Sequence, residues 1–275
     1  MKTRLITGGI SAALFLIVLF IPWSVALTIA TSCICALALY EVLSATKVVE
    51  HRGLGIAAII FAVIAPFFGR MNGGWVFVFC LLYVLALVLL TIRYHDSVSV
   101  DKVAIVFLLS ILISICLSCL SYLRTSGERD SDGLFYVFLA LLMAWMADTG
   151  AYFVGTFFGK HKLCPRISPK KTVEGLFGGI AVSILISLLA GFVYESAVLK
   201  GAAHVSYGEI FVLALICAPL SVVGDLFASI IKRRCDVKDF GNIFPGHGGM
   251  MDRFDSLLFV LPIVLLTVRL FPLVY

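Results

Sequence analysis

The sequence predicts an all-α polytopic integral membrane protein of about nine transmembrane helices, and three observations predict it. Of the 275 residues, 61% are apolar and only 13% are charged, against roughly 25% charged in a soluble domain. Mean hydropathy is +1.11. Apolar runs long enough to cross a hydrocarbon core about 30 Å thick, which takes roughly 20 helical residues, recur along the whole chain. A water-soluble globule is excluded.

Cutting at Gly, Pro and charge gives nine candidate spans, residues 5–22, 24–44, 54–68, 75–92, 103–122, 134–158, 175–194, 208–231 and 257–274. The first follows Lys2 and Arg4 as a signal peptide would, but further spans follow at once, so it reads as a retained helix. The third is the shortest. Alternating the loops between the two membrane faces puts sixteen of the 21 Lys and Arg residues on the N-terminal side and five opposite. Loops rich in Lys and Arg stay in the cytoplasm, which predicts an internal N-terminus, an external C-terminus and cytoplasmic loops at 159–174 and 232–256. There is no low-complexity tract, long polar linker or fixed-period repeat. One membrane domain is expected, with residues 1–125 as transmembrane scaffold and 126–275 holding the polar chemistry.

Six of the eight cysteines, Cys33, Cys35, Cys80, Cys116, Cys119 and Cys217, lie in apolar runs with no acid or His at ligand spacing and read as small buried residues. Cys164 and Cys235 lie in polar loops beside basic residues, an environment expected to lower a thiol pKa. A cytoplasmic location argues against a disulfide between them.

In a chain this apolar, clustered charge marks function. At the end of the eighth span, Asp225, Ser229 and Lys232 stand at i, i+4 and i+7, so a carboxylate, a hydroxyl and an ammonium share one helical face. The chain continues through Arg233, Lys238 and Asp239 to Pro245-Gly246-His247-Gly248-Gly249, then Asp252-Arg253-Phe254-Asp255. Glycines let backbone N–H groups approach an anion closely, and a helix start beyond them adds donors. Asp252 and Asp255, at i and i+3, are expected on one face. Carboxylate oxygens from Asp225 and Asp252, completed by phosphate oxygens, are the donor set Mg²⁺ prefers. The segment reads as a metal-assisted phosphate site.

A second cluster starts at Asp148, within the sixth span, and continues in the loop from Gly159 to Gly175. Five basic residues there, with Pro165 and Pro169 restricting the chain, form an electropositive lid suited to a triphosphate or an anionic lipid head group. Lys160 and Lys162 are accounted for by positive-inside anchoring; Ser168, Lys170 and Lys171 are the stronger candidates. The Gly155 to Lys160 stretch is not a nucleotide-binding P-loop, because its spacing is one residue short and His161 stands where Ser or Thr is required. No Gly-x-Ser-x-Gly, His-Glu-x-x-His or Gly-x-Gly-x-x-Gly motif occurs.

The run Ser229-x-x-Lys232-Arg233, Lys238-Asp239-x-Gly241, Pro245-Gly246-His247-Gly248-Gly249 and Asp252-Arg253-Phe254-Asp255 resembles the C-terminal hallmark of phosphatidate cytidylyltransferases. Asp148-Thr149-Gly150-Ala151-Tyr152 and Ser168-Pro169-Lys170-Lys171-Thr172-x-Glu174-Gly175 resemble the same family in the same order. The resemblance implies a helical membrane enzyme, commonly a homodimer, that joins phosphatidic acid to CTP and releases pyrophosphate. It assigns the divalent cation, Mg²⁺ or Mn²⁺ with or without a second cation, to Asp225 and Asp252. The family often has an acid where this chain has Ala228.

The expected mechanism is electrostatic, since phosphatidate brings an oxygen nucleophile that is already anionic. Lys232, Arg233, Lys238 and Arg253, with the Gly246 to Gly249 amides, are expected on the phosphates, and Lys170 and Lys171 on either anion. Asp255 and Asp239 are expected to orient basic groups or bound water, Asp148 to line the head-group cavity, and Ser229 and His247 to complete the substrate site. The expected partners are CTP, phosphatidic acid and the bilayer, with no nucleic acid. The alternatives are a CTP-dependent lipid kinase, a cytidylyltransferase for another lipid phosphate, and a cation-coupled transporter, which would also bury Asp148 and Asp225.

Overall fold

A computed structural model describes residues 17–21, 24–49, 51–244, 246 and 248–275. Most of the first expected span, residues 5–16 and 22, falls outside the described residues, as does His247. The other eight expected spans are helices. They are α1 (Ser24–Thr46), α2 (Arg52–Ile64) with a 3₁₀ extension (Ala65–Arg70), α3 (Gly73–Arg93), α4 (Val100–Arg124), α5 (Asp130–Phe158), α6 (Val173–Tyr194), α7 (Tyr207–Arg234) and, after the single turn α8 (Met251–Phe254), α9 (Leu257–Leu270). Seven of these described segments are long and apolar enough to cross a membrane, counting α2 with its extension, and α9 is shorter.

Two departures from expectation have local causes. The last helix ends at Leu270 instead of running to 274, because Phe271 precedes Pro272 and takes an extended conformation. The chain end then pairs backwards, with backbone bonds in both directions between His204 and Tyr275. The loop after α5 is also not featureless: β1 (Lys162–Cys164) and β2 (Ser168–Thr172) form an antiparallel hairpin.

The chain forms two compact units, one of residues 1–122 and 231–254, the other of 123–230 and 255–275. In the first, Leu54, Phe61, Phe68, Tyr83 and Leu87 form an apolar core, with Phe61 stacked on Tyr83 at 4.4 Å. Pro66 stands in the first turn of the 3₁₀ extension that tightens the end of α2. Hydroxyls from neighbouring helices bond the carbonyls around it: Ser32 donates to that of Val63 at 2.9 Å, Ser121 to that of Pro66 at 2.9 Å, and Tyr122 to that of Ala65. In lipid no water competes for these carbonyls, so the hydroxyls tie the 3₁₀ turn to its neighbours.

In the second unit, α6 carries a small residue at every fourth position, Gly175, Gly179, Ser183, Ser187 and Gly191, all buried. The stripe lies antiparallel on α5. A Cβ at Gly175 would stand 2.7 Å from the Ala151 carbonyl oxygen, and one at Gly179 would stand 2.6 Å from that of Ala147. Ser183 donates to the Met143 carbonyl at 2.9 Å. Hydrophobic burial gives little between helices in lipid, so close backbone approach and polar bonds hold this pair. The opposite face of α6 exposes Phe177, Leu185, Leu189 and Phe192, as a lipid-facing surface would. This pairing fixes the depth and rotation of Asp148.

Candidate active site

Within the second unit, the α5–α6 pair sets the base of the hairpin. Thr172 caps α6 by accepting the Gly175 N–H at 3.1 Å. Glu174, in the first turn, accepts the backbone N–H of Lys160 at 3.1 Å and that of His161 at 3.2 Å, and pairs with His161 Nδ1 at 2.6 Å. The Val173 N–H donates to the His161 carbonyl at 2.9 Å. With its base closed, the strand sends alternate side chains to opposite faces. Lys170 is exposed, while Lys171 turns inward and its Nζ forms an ion pair with Asp225 Oδ2 at 2.6 Å. Ser168 is half-buried where β2 begins, opposite Cys164.

Asp225 lies on α7 directly after Gly224, which abuts the Asp255 carbonyl so closely that no side chain would fit. That approach brings in the turn before α9. Asp148 lies within electrostatic reach of the Ser256 side chain, Lys171 and Asp225. Two carboxylates, one ammonium and one hydroxyl thus gather within the second unit. Ser229 is half-buried one turn beyond Asp225, and Ala228, where an acid was noted as common, is fully buried.

Within the first unit, a second centre forms around Asp252. Its Oδ1 accepts Lys232 Nζ at 2.8 Å, and its Oδ2 accepts the N–H of Phe240 at 2.9 Å and of Gly249 at 2.9 Å. The Asp252 side chain is 4% exposed and that of Lys232 12%. The Lys232 ammonium also lies over the Phe240 ring, 5.3 Å from its centroid. Gly248 has φ +85°, and a Cβ there would stand 2.9 Å from Asp252 Oδ2, so both the turn and the approach require glycine. Gly246 is also left-handed, at φ +80°. Arg233, Lys238, Asp239 and Arg253 are exposed around this centre.

Three features differ from the expectation. The Gly249 N–H is directed to Asp252 and not outward to an anion. The helical turn α8 ends at Phe254, so Asp252 and Asp255 do not share a continuous helical face; the Asp255 carboxylate instead accepts the Ser256 N–H at 2.9 Å, where the chain turns into α9. Cys235 is not activated. Burial, followed by the neighbouring charge of Asp236, raises its thiol pKa, and the opposing influence of Lys47 is smaller. All eight cysteines are free thiols.

Glu41, the sole charged side chain in α1, lies outside every motif named above. It is 4% exposed and its Oε2 accepts the Met251 N–H at 2.9 Å, beside Asp252 in the chain. The available signal was an ionisable residue alone in an apolar span.

The donor chemistry fits a hard divalent cation. Asp225 and Asp252 offer carboxylate oxygens, and each already holds a hard cation, the ammonium of Lys171 or Lys232. The Asp225 side chain is the more open, at 32% exposure against 4% for Asp252. Among the described residues no three His, Cys, Asp or Glu side chains gather as a metal cage. Mg²⁺ needs none when one or two carboxylates are joined by phosphate oxygens.

Comparison with known proteins bears on the whole chain. Residues 2–271 match the family model described as the cytidylyltransferase family. The chain is 35% identical over 276 residues to a phosphatidate cytidylyltransferase of Bacillus subtilis, covering 98% of each chain. It is 34% identical over 266 residues to one of Staphylococcus epidermidis, covering 96% of this chain and 97% of that one. A relative of the same name in Staphylococcus haemolyticus is 33% identical over 269 residues, with 96% and 97% covered. With its match running from the second residue through the last helix, the chain belongs to the cytidylyltransferase family.

Proposed function

We propose that this membrane protein transfers the cytidylyl group of CTP to phosphatidic acid, giving CDP-diacylglycerol and pyrophosphate for phospholipid synthesis. The observation that carries the reading is chemical. In a chain with 13% charged residues, two Lys–Asp ion pairs stand in the two segments that resemble the family's motifs. Such centres suit a reaction between two anions, and hydrolysis or a covalent intermediate would ask for a positioned base or nucleophile instead.

Phosphatidate supplies the attacking oxygen, and the difficulty is to bring it to the α-phosphorus of CTP against charge repulsion. Lys171 and Lys232 neutralise the nearby anions, exposed Lys170, Arg233, Lys238 and Arg253 attract the nucleotide, and the buried position of Asp252 fixes its loop. We assign a divalent cation, Mg²⁺ or Mn²⁺, to Asp225 and Asp252; when bound it supplies positive charge to the phosphoryl oxygens as pyrophosphate leaves. Asp148 and Ser256 hold Lys171 and Asp225 in register. We place the protein in the plasma membrane with both basic loops in the cytoplasm, a reading supported by the distribution of Lys and Arg and by the need of CTP to remain in water.

The test is to incubate purified protein with labelled CTP, phosphatidate and Mg²⁺ and to identify both products. CDP-lipid with pyrophosphate is expected. A phosphorylated lipid with CDP released would make it a kinase, and ion-coupled flux in vesicles without either product would make it a transporter.

A further inference from the structure

Glu41 has no part in the motifs that define the site, yet it is buried against the loop that carries Asp252. Its Oε2 takes the Met251 N–H. Its Oε1 is buried with no hydrogen-bond partner among the described residues. Gly241 and Gly249 lie so close that a Cβ on either would collide with this carboxylate. Asp252 closes the same loop through the N–H groups of Phe240 and Gly249. The described residues of this loop, Phe240, Gly241, Gly249 and Met251 among them, are therefore gathered around two acids, one of them supplied by α1. An apolar residue would insert into the membrane more easily than Glu41 does, and helix packing alone would favour it. The carboxylate is explained by what it holds.

We propose that Glu41 is a positioning residue for cytidylyl transfer: by receiving the Met251 N–H and seating Gly241 and Gly249, it fixes the loop that presents Asp252. This rests on the function proposed above. It extends the working parts of the enzyme into the segment expected to be scaffold. The contact is a hydrogen bond to an amide, so a neutral acceptor of the same length is sufficient.

The experiment compares Glu41→Ala and Glu41→Gln with the unaltered protein, by hydrogen exchange of the 240–252 segment and by steady-state kinetics with CTP and phosphatidate. In Glu41→Ala, exchange in this segment is expected to accelerate about tenfold or more while α5 and α6 keep their protection. Its kcat is expected to fall by about 10- to 100-fold with KM for phosphatidate within about threefold. Glu41→Gln is expected to restore both readouts to within a few-fold. Unchanged exchange in Glu41→Ala, or a Gln variant as impaired as Ala, overturns the proposal. If the unaltered protein makes no CDP-lipid, the functional reading fails while the exchange data still decide the anchor.

A second pair covers the case in which Glu41→Ala does not fold. Gly241→Ala puts a methyl group against the carboxylate, and Glu41→Asp withdraws that carboxylate by one methylene. Gly241→Ala is expected to lower kcat about tenfold, and the double variant to recover at least about threefold of the loss, a coupling that independent sites do not show. Losses that simply multiply would overturn the proposal.

Discussion

At the scale of single residues, the two assigned metal ligands are in different circumstances, and their variants are expected to differ. Asp225→Asn should abolish turnover and leave the melting temperature within a few degrees, because its partner Lys171 retains Asp148 nearby. Asp252→Asn should abolish turnover and also lower stability by about 3 kcal/mol, since it leaves a buried ammonium without its counter-charge. Turnover assays and thermal melts in detergent separate the two cases; near-normal rate in either variant removes the metal assignment. Lys170, exposed beside the inward Lys171, belongs to substrate capture. Lys170→Ala is expected to raise the KM for an anionic substrate about tenfold with little change in kcat, whereas a fall in kcat alone would give it a transition-state role. Asp148, Lys171, Asp225, Lys232 and Asp252 were legible because charge in an apolar chain is conspicuous. Glu41 carries the same signal, but what it holds was not legible, because its partner lies 210 residues along the chain and no local spacing encodes the contact.

Among the elements, the described helices were legible to within four residues at either end, since length and hydropathy decide them in lipid. The hairpin at 162–172 was not. Ser-Pro-Lys-Lys-Thr has little intrinsic preference for a strand, and its conformation comes from the Glu174 and Val173 contacts that close the hairpin base. The halt of α9 was readable in Pro272, but the backward pairing of Tyr275 with His204 was not. The small-residue face of α6 leads to a direct comparison. Gly179→Val forces a branched side chain onto the Ala147 carbonyl and is expected to destabilise the protein by roughly 1–3 kcal/mol or more. Leu185→Ala, on the exposed face, should be nearly neutral. Melting curves of both variants in one detergent make the measurement, and equal losses would mean that the stripe does not hold the pair.

For the whole molecule, the prediction concerns sidedness. Single-cysteine variants retaining Cys164 or Cys235 should be labelled by a membrane-impermeant thiol reagent only from the cytoplasmic side; labelling from outside would invert the topology. Cys235 is expected to react more slowly at neutral pH and to gain rate only as pH rises further than for an ordinary thiol, because burial has raised its pKa and depleted its thiolate. The closed base of the hairpin also has a practical consequence. Pro165 and Arg166 at its exposed tip lie beyond the contacts that set its register, so a short epitope or fluorophore-binding peptide grafted between them can report on the enzyme in living membranes while Lys171 stays on Asp225.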